Sequence, residues 1–266
     1  MSLTALQSAA TGMKAMDTQL DVIANNLANA NTTAFKSQRV NFEDLMYEEK
    51  RQPGTLNTIG QYSATGLYIG LGAQVSNTQL DFTQGSMDNT GQPFDIAIEG
   101  TGFFKVQTFD GIGSGEAYTR AGNVLPNVNG DLVLGTTDGP YLEPRITIPD
   151  GTTGVTITAD GTVTAIVDGE EQEVGQIQLY RFPNPNGLRL EGGNLYTETI
   201  GSGAAVQGNP QEVGFGGLKQ NFLEYSNVDT VKELVSMIRT QRNFEMNSQS
   251  IKAADNTLKT VAALRS

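Results

Sequence analysis

The sequence predicts an α+β protein with a discontinuous terminal helical coiled-coil domain formed by both chain ends, an inserted all-β domain and an extended linker. Three observations support this prediction. Apolar residues recur at seven-residue spacing near both ends, short β-rich runs fill the middle, and a glycine-rich stretch follows the first helix. The predicted boundaries are 1–31 for the N-terminal helix, 32–72 for the linker arm, 73–225 for the β domain and 226–266 for the C-terminal helix.

The first predicted element is an amphipathic helix from residue 3 to about residue 28. A seven-residue apolar repeat is the period at which a helix keeps one narrow face toward a partner helix. The repeat consists of Leu6, Met13, Leu20 and Leu27, and the neighbouring row contains Leu3, Ala10 and Ala24. Gly12 costs roughly 1 kcal/mol relative to Ala in a helix interior. We expect that cost to be tolerated where another helix crosses closely.

Three asparagines near the helix end, Asn25, Asn26 and Asn29, allow two interpretations. Asparagine is a poor helix former and accepts the left-handed conformation that ends helices, so in the first interpretation the three residues only terminate the helix near Ala30. Alternatively, their amides form hydrogen bonds between packed helices and fix the register, as a buried asparagine does in coiled coils. The sequence leaves both interpretations open.

The linker, 32–72, is rich in Gly, Thr, Asn, Gln and Ser, and it contains Arg51, Gln52, Pro53 and Gly54 in succession. Leu67 and Ile69 follow near its end. The stretch is too long for an ordinary loop, and stretches of this kind are usually functional or flexible. We therefore predict an extended arm that becomes ordered against another surface.

The middle of the chain predicts short strands separated by tight turns. Turn signals such as Asp150-Gly151, Asp160-Gly161 and Asp168-Gly169 between apolar runs favour hairpins. The predicted strands are 73–80, 94–99, 103–108, 118–120, 132–134, 155–158, 163–167 and 177–182. Their regular spacing indicates a sandwich or an irregular barrel.

The last predicted element is a helix from residue 228 to about residue 264, with Ser226 as its N-cap and Asp229 completing a capping box. Its apolar row consists of Met237, Phe244, Ile251 and Leu258, and the adjoining row of Thr240, Asn247, Ala254 and Val261. Such rows commonly pack within one monomer. This helix, however, is longer than the first, so part of its apolar row lacks an intramolecular partner. The pattern favours a self-associating structural protein over an enzyme.

Composition excludes several kinds of chemistry. The chain has 266 residues and no Cys, His or Trp, which rules out a thiol nucleophile, a Ser-His-Asp triad and a Cys/His zinc site. Its net charge is −12, and residues 51–223 contain 18 acidic and 7 basic side chains. Because an acidic surface repels phosphate, nucleic acid is not an expected partner. We expect no cofactor, metal or catalytic residue.

Glycine-rich and acidic motifs in the middle of the chain are weak signals of a site. Gly100-Thr-Gly102 and the run from Gly111 to Gly115 lack the strand, glycine loop and helix order of a phosphate-binding loop, so we interpret them as turns. The acidic run 168–173 lacks the ligand spacing of a calcium loop. We predict a solvated hairpin tip there.

Membrane insertion and a cleavable signal are not expected. No apolar run approaches the eighteen or so residues of a membrane span. Lys14, Asp17 and Asp21 interrupt the apolar pattern of the N-terminus, which is therefore unlike a secretory signal peptide.

Several motifs along the whole chain together match a known family. At the N-terminal side they are Ala9-Ala-Thr-Gly-Met13, Asp21-Val-Ile-Ala-Asn-Asn-Leu-Ala-Asn29 and Asn31-Thr-Thr-Ala-Phe-Lys36. At the C-terminal side they are Glu224-Tyr-Ser-Asn-Val228 and the run from Met237 to Glu245. Gly100-Thr-Gly-Phe-Phe104, Tyr118-Thr-Arg120 and Asn194-Leu-Tyr196 lie between them. In these motifs the chain resembles the axial proteins of the bacterial flagellum, the rod and hook proteins. Chain length and the segment from Arg51 to Gly70 are most similar to the distal-rod members.

The resemblance implies a subunit of a homo-oligomeric helical filament, the periplasm-spanning distal rod of the basal body. It implies an inner coiled-coil layer around an export channel, an outer β domain, and a 46–70 linker that stiffens the rod and transmits torque to the hook. The implied partners are proximal-rod proteins, the hook protein, outer-ring bushing proteins, the rod cap and the flagellar type III export apparatus, which exports subunits without a cleavable signal peptide.

Three alternatives stay open at this point. The first is a proximal-rod member of the same family. The second is a surface adhesin that binds through exposed β loops. The third is a carbohydrate-active enzyme, which requires convergent carboxylates in a cleft of the β domain. Neither of the last two explains matching apolar repeats at both chain ends.

Overall fold

A computed structural model describes residues 2–56, 60–62, 64–108 and 115–263, except the side chains of Ser2, Leu3 and Val261. The chain forms two compact units. The first contains the N-terminal residues up to Ala28, Gln38–Asp81 and the residues from Asp229 onward. The second contains Asn29–Ser37 and Phe82–Val228.

Two long helices and a two-stranded ribbon make up the first unit. The helices are α1 (Ser2–Ala28) and α2 (Thr230–Ala263), and the strands are β1 (Gln38–Asp44), β2 (Tyr47–Arg51), β3 (Leu67–Gly70) and β4 (Ala73–Leu80). β1 pairs antiparallel with β4, and β2 pairs antiparallel with β3. Leu45 N–H donates to the Gly72 carbonyl at 2.9 Å, so the two pairs join into one continuous ribbon.

This ribbon occupies much of the predicted linker, residues 32–72. It also includes β4, which lies beyond the predicted linker. Residues 73–80 form a strand, as the sequence predicts, but the partner of this strand is β1 and not a strand of the second unit. The pairing of β1 with β4 joins residues about forty apart in sequence, such as Gln38 and Leu80. The domain boundaries at 31, 72 and 225 stay predictions.

The described part of the second unit is built from short antiparallel strands. They are β5 (Met87–Asn89), β6 (Ile96–Glu99), β7 (Phe104–Gln107), β8 (Glu116–Thr119), β9 (Val124–Pro126), β10 (Leu132–Leu134), β11 (Tyr141–Glu143), β12 (Thr152–Ile157), β13 (Thr162–Val167), β14 (Glu170–Gln176), β15 (Leu179–Arg181), β16 (Arg189–Gly192), β17 (Leu195–Thr197), β18 (Val206–Gly208), β19 (Gly217–Gln220) and β20 (Phe222–Glu224). The largest sheet has the order β16-β17-β8-β7-β11-β10-β9, and β12, β13 and β14 form a second sheet. Three further pairs are β15-β18, β19-β6 and β20-β5.

Aliphatic and aromatic side chains from these strands form one core. Ile98, Phe104, Val106 and Leu132 are among its fully buried members. At the β13–β14 hairpin, Asp168 and Gly169 both have positive φ, as this tight turn requires. The neighbouring acidic residues are exposed, which confirms the predicted solvated hairpin tip.

Both predicted helices are present, but the predicted cap of the second is wrong. α2 begins at Thr230, and Asp229 caps it: its Oδ1 accepts the N–H groups of Val231 and Lys232, each at 3.1 Å. These are the second and third helical amides, the usual targets of an N-cap side chain. Ser226 Oγ accepts the Val228 N–H instead, before the helix starts. In the described residues, neither helix is apolar enough over its length to cross a membrane.

Candidate subunit interface and chain junction

The helices α1 and α2 run antiparallel, and two contacts set their register. Asn26 Nδ2 donates to Glu233 Oε1 at 3.2 Å. At Gly12, an added Cβ would lie 3.1 Å from Asn247 Nδ2, so the helices cross closely there, as the sequence predicts. Both contacts are fourteen residues apart on each helix, which is two seven-residue repeats. This register places Ser2 level with about residue 257, and α2 continues beyond it to Ala263.

The side chains of the predicted apolar rows are only partly buried in the structure. The partly buried members are Leu6, Met13, Leu20, Leu27, Met237, Phe244, Ile251 and Ala254. Leu258 is 39% exposed, and the side chain of Val261 lies outside the described residues. Thr240, in the adjoining row, is buried, whereas Ala10 and Ala24 are exposed. Both rows therefore keep apolar surface that the monomer does not cover.

The fully buried apolar positions of α1 are different ones. They are Ala9, Ala15 and Ile23. This helix packs against the ribbon as well as against α2: Ser8 Oγ donates to the Gly70 carbonyl at 3.2 Å. At Gly72, whose φ is +117°, an added Cβ would overlap with Thr11. Because small residues at close contacts produce no apolar repeat in the sequence, the face of α1 that packs against the ribbon was not predicted.

The three asparagines have separate environments. Asn26 is buried and bonds to both backbone groups of Gln38: its Nδ2 donates to the carbonyl at 2.8 Å, and its Oδ1 accepts the N–H at 2.9 Å. Together with the bond to Glu233, these contacts join α1, β1 and α2. Asn29 accepts from Thr32 through its carbonyl and its side chain, in the turn after the helix. Asn25 is exposed.

Glu233 lies half-buried at the start of α2. Burial raises the pKa of its carboxyl, and the charge of Asp229 raises it further, although the hydrogen bond from Asn26 acts in the opposite direction. The protonated form is therefore favoured more in the folded protein than in the unfolded chain. This carboxylate is the acceptor that α2 presents to Asn26.

The predicted linker residues lie toward the far end of the ribbon. Arg51, Gln52, Pro53, Gly54 and Leu67 are exposed, and Ile69 is half-buried. Leu56 and Tyr62 form an isolated bridge beyond them. Large apolar side chains on this part of the ribbon, including Met46 and Tyr62, are mostly exposed. The ribbon end thus presents apolar and aromatic groups to its surroundings.

A cluster of five residues, which we call the junction, lies in the second unit. Its buried ionic centre consists of Lys36, Arg120 and Glu224, and Thr83 and Asn227 border this centre nearer the surface. Lys36 Nζ lies 2.5 Å from Glu224 Oε1, and Arg120 Nε lies 3.0 Å from Glu224 Oε2. The side chains of Lys36 and Glu224 are 0% exposed. Lys36 also donates to the Thr83 carbonyl at 2.8 Å.

The electrostatics of the junction favour ionised Glu224. Burial alone would raise the pKa of this carboxyl, but the charges of Arg120 and Lys36 and the Gly85 N–H bond lower it below its ordinary value. Arg120 uses its remaining N–H groups on the carbonyls of Gly102 and Gly100, at 3.1 and 2.9 Å. Among the described residues, no buried side-chain polar atom lacks a hydrogen-bond partner.

Several motifs that the sequence analysis singled out meet at the junction. Lys36 ends the Asn31–Lys36 motif, and Glu224 begins the motif that ends at Val228. Arg120 ends a third motif and binds the backbone of a fourth, at Gly100 and Gly102. Asn194, from a fifth motif, donates to the Thr33 carbonyl at 2.8 Å. The sequence separates these residues by up to 188 positions, so no local pattern links them.

One cleft in the described part of the second unit is lined by carboxylates and is open to solvent. Its volume is about 700 Å³, and Glu116 and Glu198 line it. Glu116 is ion-paired with Lys105 at 2.8 Å, and Glu198 accepts the Ala205 N–H at 3.2 Å. Retaining or inverting glycosidases use one carboxyl group held protonated by an apolar environment, and these two exposed side chains lack such an environment.

Three family models match the chain. Residues 6–36 match "Flagella basal body rod protein", residues 97–165 match "Flagellar hook protein FlgE/F/G D1 domain", and residues 219–264 match "Flagellar basal body rod FlgEFG protein C-terminal". The first and last of these matches include the Lys36 and Glu224 segments.

Curated relatives are similar over the full length. The flagellar basal-body rod protein FlgG of Caulobacter vibrioides is 42% identical over 99% of this chain and 100% of its own. The protein of the same name from Bacillus subtilis is 38% identical over 99% of both chains. The flagellar basal-body rod protein FlgF of Caulobacter vibrioides is 37% identical over 90% of this chain and 87% of its own.

Proposed function

Because this chain belongs to the family of flagellar basal-body rod proteins, we propose that it is a structural subunit of the distal rod of the flagellar basal body. In this proposal the subunit assembles with copies of itself into a stiff helical tube, which encloses the export channel and transmits torque from the motor to the hook. The observation that carries the proposal is the full-length similarity to FlgG proteins, at 42% identity over 99% of the chain for one of them. No catalytic step is involved.

Contacts between subunits are assigned to the terminal helices. The partly covered rows from Leu6 to Leu27 and from Met237 to Leu258 form a coiled-coil layer within and between copies, and Asn26 fixes its register. An exposed apolar stripe at the start of α2 supports this assignment; it contains Val231, Leu234, Val235 and Ile238. Contiguous exposed apolar surface on a helix commonly marks a protein interface.

The ribbon end is assigned a stiffening role. In the proposed tube its exposed residues, from Arg51 to Gly54 and at Leu67, contact neighbouring subunits; their exposure in the single chain supports this assignment. Paired strands resist bending more than a disordered loop does, because each residue is fixed by backbone hydrogen bonds. The position of the chain within the basal body brings it into contact with other rod and hook proteins. Proximal-rod proteins, the hook protein, outer-ring bushing proteins, the rod cap and the type III export apparatus are the specific partners we propose.

The test of this function is replacement in a flagellated bacterium. Cells that lack their own distal-rod gene receive this chain as the only copy, and isolated basal bodies are imaged by electron microscopy. Rods of normal length that carry hooks support the proposal. Basal bodies that end at the proximal rod, although the chain is produced and exported, overturn it.

A proximal-rod role is the second candidate, because the chain is 37% identical to a FlgF protein over 90% of its length. The same replacement, made in cells that lack the proximal-rod subunit, separates the two. Recovery of rods only in the proximal-rod deletion assigns the chain to that position instead.

A further inference from the structure

The chain passes between the two units at four places. These crossings fall after residues 28, 37, 81 and 228. In the second unit the crossings fall on three short stretches, which we call the crossing segments: 29–37 carries two crossings, and the two ends of Phe82–Val228 carry one each. Along the covalent chain, a force that acts on the helices therefore reaches the second unit through these three segments.

Hydrogen bonds within the second unit link all three segments directly. Lys36 Nζ binds the Thr83 carbonyl and the Glu224 carboxylate. Asn227 Oδ1 accepts the Ser37 N–H at 2.8 Å, and its Nδ2 donates to Thr83 Oγ1 at 3.1 Å. The junction thus ties each crossing segment to the other two, within a few residues of where each segment ends.

Arg120 connects the same cluster to the sheets of the second unit. It follows β8, and its guanidinium binds Glu224 and two loop carbonyls. Its guanidinium also lies 6.0 Å from the ring centroid of Phe103, which packs edge-on against Phe82 and Tyr196. These rings keep water from the ion pairs, so the charges interact in a poorly screened environment.

A buried ion cluster of this kind contributes geometry more than net stability. The cost of removing charges from water offsets much of their attraction, and apolar replacements of similar volume are often neutral or stabilising. Removing one partner alone, however, weakens the remaining bonds of the network. The chemistry therefore fits a role in fixing the relative positions of the three segments.

We propose that the junction is a clamp that holds the crossing segments together as one block when force acts on the chain. The force is then shared among the segments and does not pull them out of the second unit one at a time. This inference rests on the proposed function as a rod subunit, which supplies the load. Lys36, Glu224 and Asn227 are positioning residues in this clamp, and Arg120 anchors it to the sheet.

The first test is amide hydrogen exchange on the full purified chain with Lys36→Met, which keeps side-chain length and leaves the Arg120–Glu224 pair intact. We expect exchange at least about tenfold faster at the Ala34, Ser37 and Gly85 amides, a loss of local protection. The core amides of Val106 and Leu132 should not change. The matched control is Lys105→Met, which removes ion pairs to Glu116 and Glu143 elsewhere in the same unit.

Two exchange results would overturn the clamp. Unchanged exchange at the three junction amides means that Lys36 does not hold the segments. Equally faster amide exchange throughout the second unit means that the cluster stabilises the whole unit and does not hold the crossing segments specifically. Asn227→Ala provides a second variant, because it removes the Ser37 and Thr83 bonds without altering any charge, and the same local pattern is expected.

The second test measures swimming under increasing load, in cells whose only copy of the rod subunit is the variant. Lys36→Met cells should form rods and swim in dilute medium, but lose swimming at a lower medium viscosity than wild-type or Lys105→Met cells. Equal performance at every viscosity, or absence of rods, contradicts load transfer through the clamp. If the wild-type chain itself fails to restore rods, the proposed function fails, whereas the exchange result on the purified chain still reports whether the segments are held together.

Discussion

At the residue scale, a close approach of the two helices depends on Gly12. An added Cβ there would lie 3.1 Å from Asn247 Nδ2. A methyl group therefore fits if the Asn247 amide shifts slightly, whereas a larger side chain does not. Gly12→Leu should lower the free energy of unfolding of the helix pair by about 1–3 kcal/mol, because the larger side chain forces the helices apart. Thermal unfolding followed by far-ultraviolet circular dichroism measures this change.

A matched pair of variants separates close contact from helix propensity. With Asn247→Ala already present, Gly12→Ala should stabilise the protein by up to about 1 kcal/mol, because the propensity gain is kept and the amide is gone. In the wild-type background the gain should be smaller. Equal gains in both backgrounds would show that the helices do not approach at this residue.

Asp131 makes the folding stability of the second unit depend on pH. Its carboxylate accepts from Arg145 Nε and Nη2 and from Thr147 Oγ1, and these bonds lower its pKa to about 2. Because the folded pKa lies below the unfolded value of about 3.9, the stabilisation is present above pH 4 and is lost as pH falls toward 2. Asp131→Asn should therefore lower the denaturant midpoint at pH 7 and have little effect near pH 2.

Denaturant titrations of both proteins between pH 2 and pH 7 test this sign. Asp150→Asn, in an exposed turn, is the control and should leave the midpoint nearly unchanged throughout. A difference between wild-type protein and Asp131→Asn that grows toward low pH would contradict the assignment.

Residue patterns predicted some of these positions and could not predict others. The seven-residue repeat identified both helices, because a long periodic signal is the most reliable one in a sequence. It did not identify Ala15, which is buried because α1 has a second contact face. Lys36 and Glu224 gave no signal of their pairing, since charged residues are almost never fully buried unless paired, and a sequence does not name the partner.

At the scale of elements, apolar patterning decided which of the short strands could be predicted. The three-residue strand β10 was predicted because its three apolar residues stand between clear turns. Strands such as β5 and β9 have three residues without alternation, and their pairing partners define them. β1 is largely polar, and its partner β4 begins about thirty residues later, so the sequence predicted an extended arm there and not a paired ribbon.

The ribbon supports a prediction about bending. Replacing residues 52–66 with Asn-Gly should close the ribbon directly between Arg51 and Leu67 with a tight hairpin turn. We expect an unchanged unfolding midpoint of the second unit, but rods that bend more, because the exposed end no longer contacts neighbouring subunits. Persistence length measured in electron micrographs is the readout.

The control for this truncation is a substitution at the tip of another hairpin. Asp168→Asn produces the same Asn-Gly turn at the exposed tip of β13–β14 and leaves the ribbon at full length. Rods of equal stiffness from the truncated and the full ribbon would exclude a stiffening role for residues 52–66.

At the scale of the whole molecule, the discontinuous chain makes assembly separable from folding of the β unit. Phe244 lies half-buried in the middle of the α2 row. Phe244→Asp places a charge in that row and should abolish filament formation, while the second unit keeps its fold. Negative-stain microscopy detects filaments, and exchange protection at the Val106 amide reports the fold.

Val213→Asp is the control for the added charge, because Val213 is fully exposed in the second unit. Filaments of normal appearance from this variant, together with their loss in Phe244→Asp, are the expected pair of results. Normal filaments from Phe244→Asp would refute the assignment of the α2 row to subunit contacts.

The unequal lengths of α1 and α2 have a consequence for polarity. In the antiparallel register, α2 extends about 9 Å beyond the start of α1, at the rise of 1.5 Å per residue. One end of the helix pair therefore carries between one and two unpaired helical turns, and the opposite end does not. A column of such subunits stacked in one orientation has two chemically different tips. Addition of new copies at the two tips would then differ in rate, which gives the growing structure an intrinsic direction.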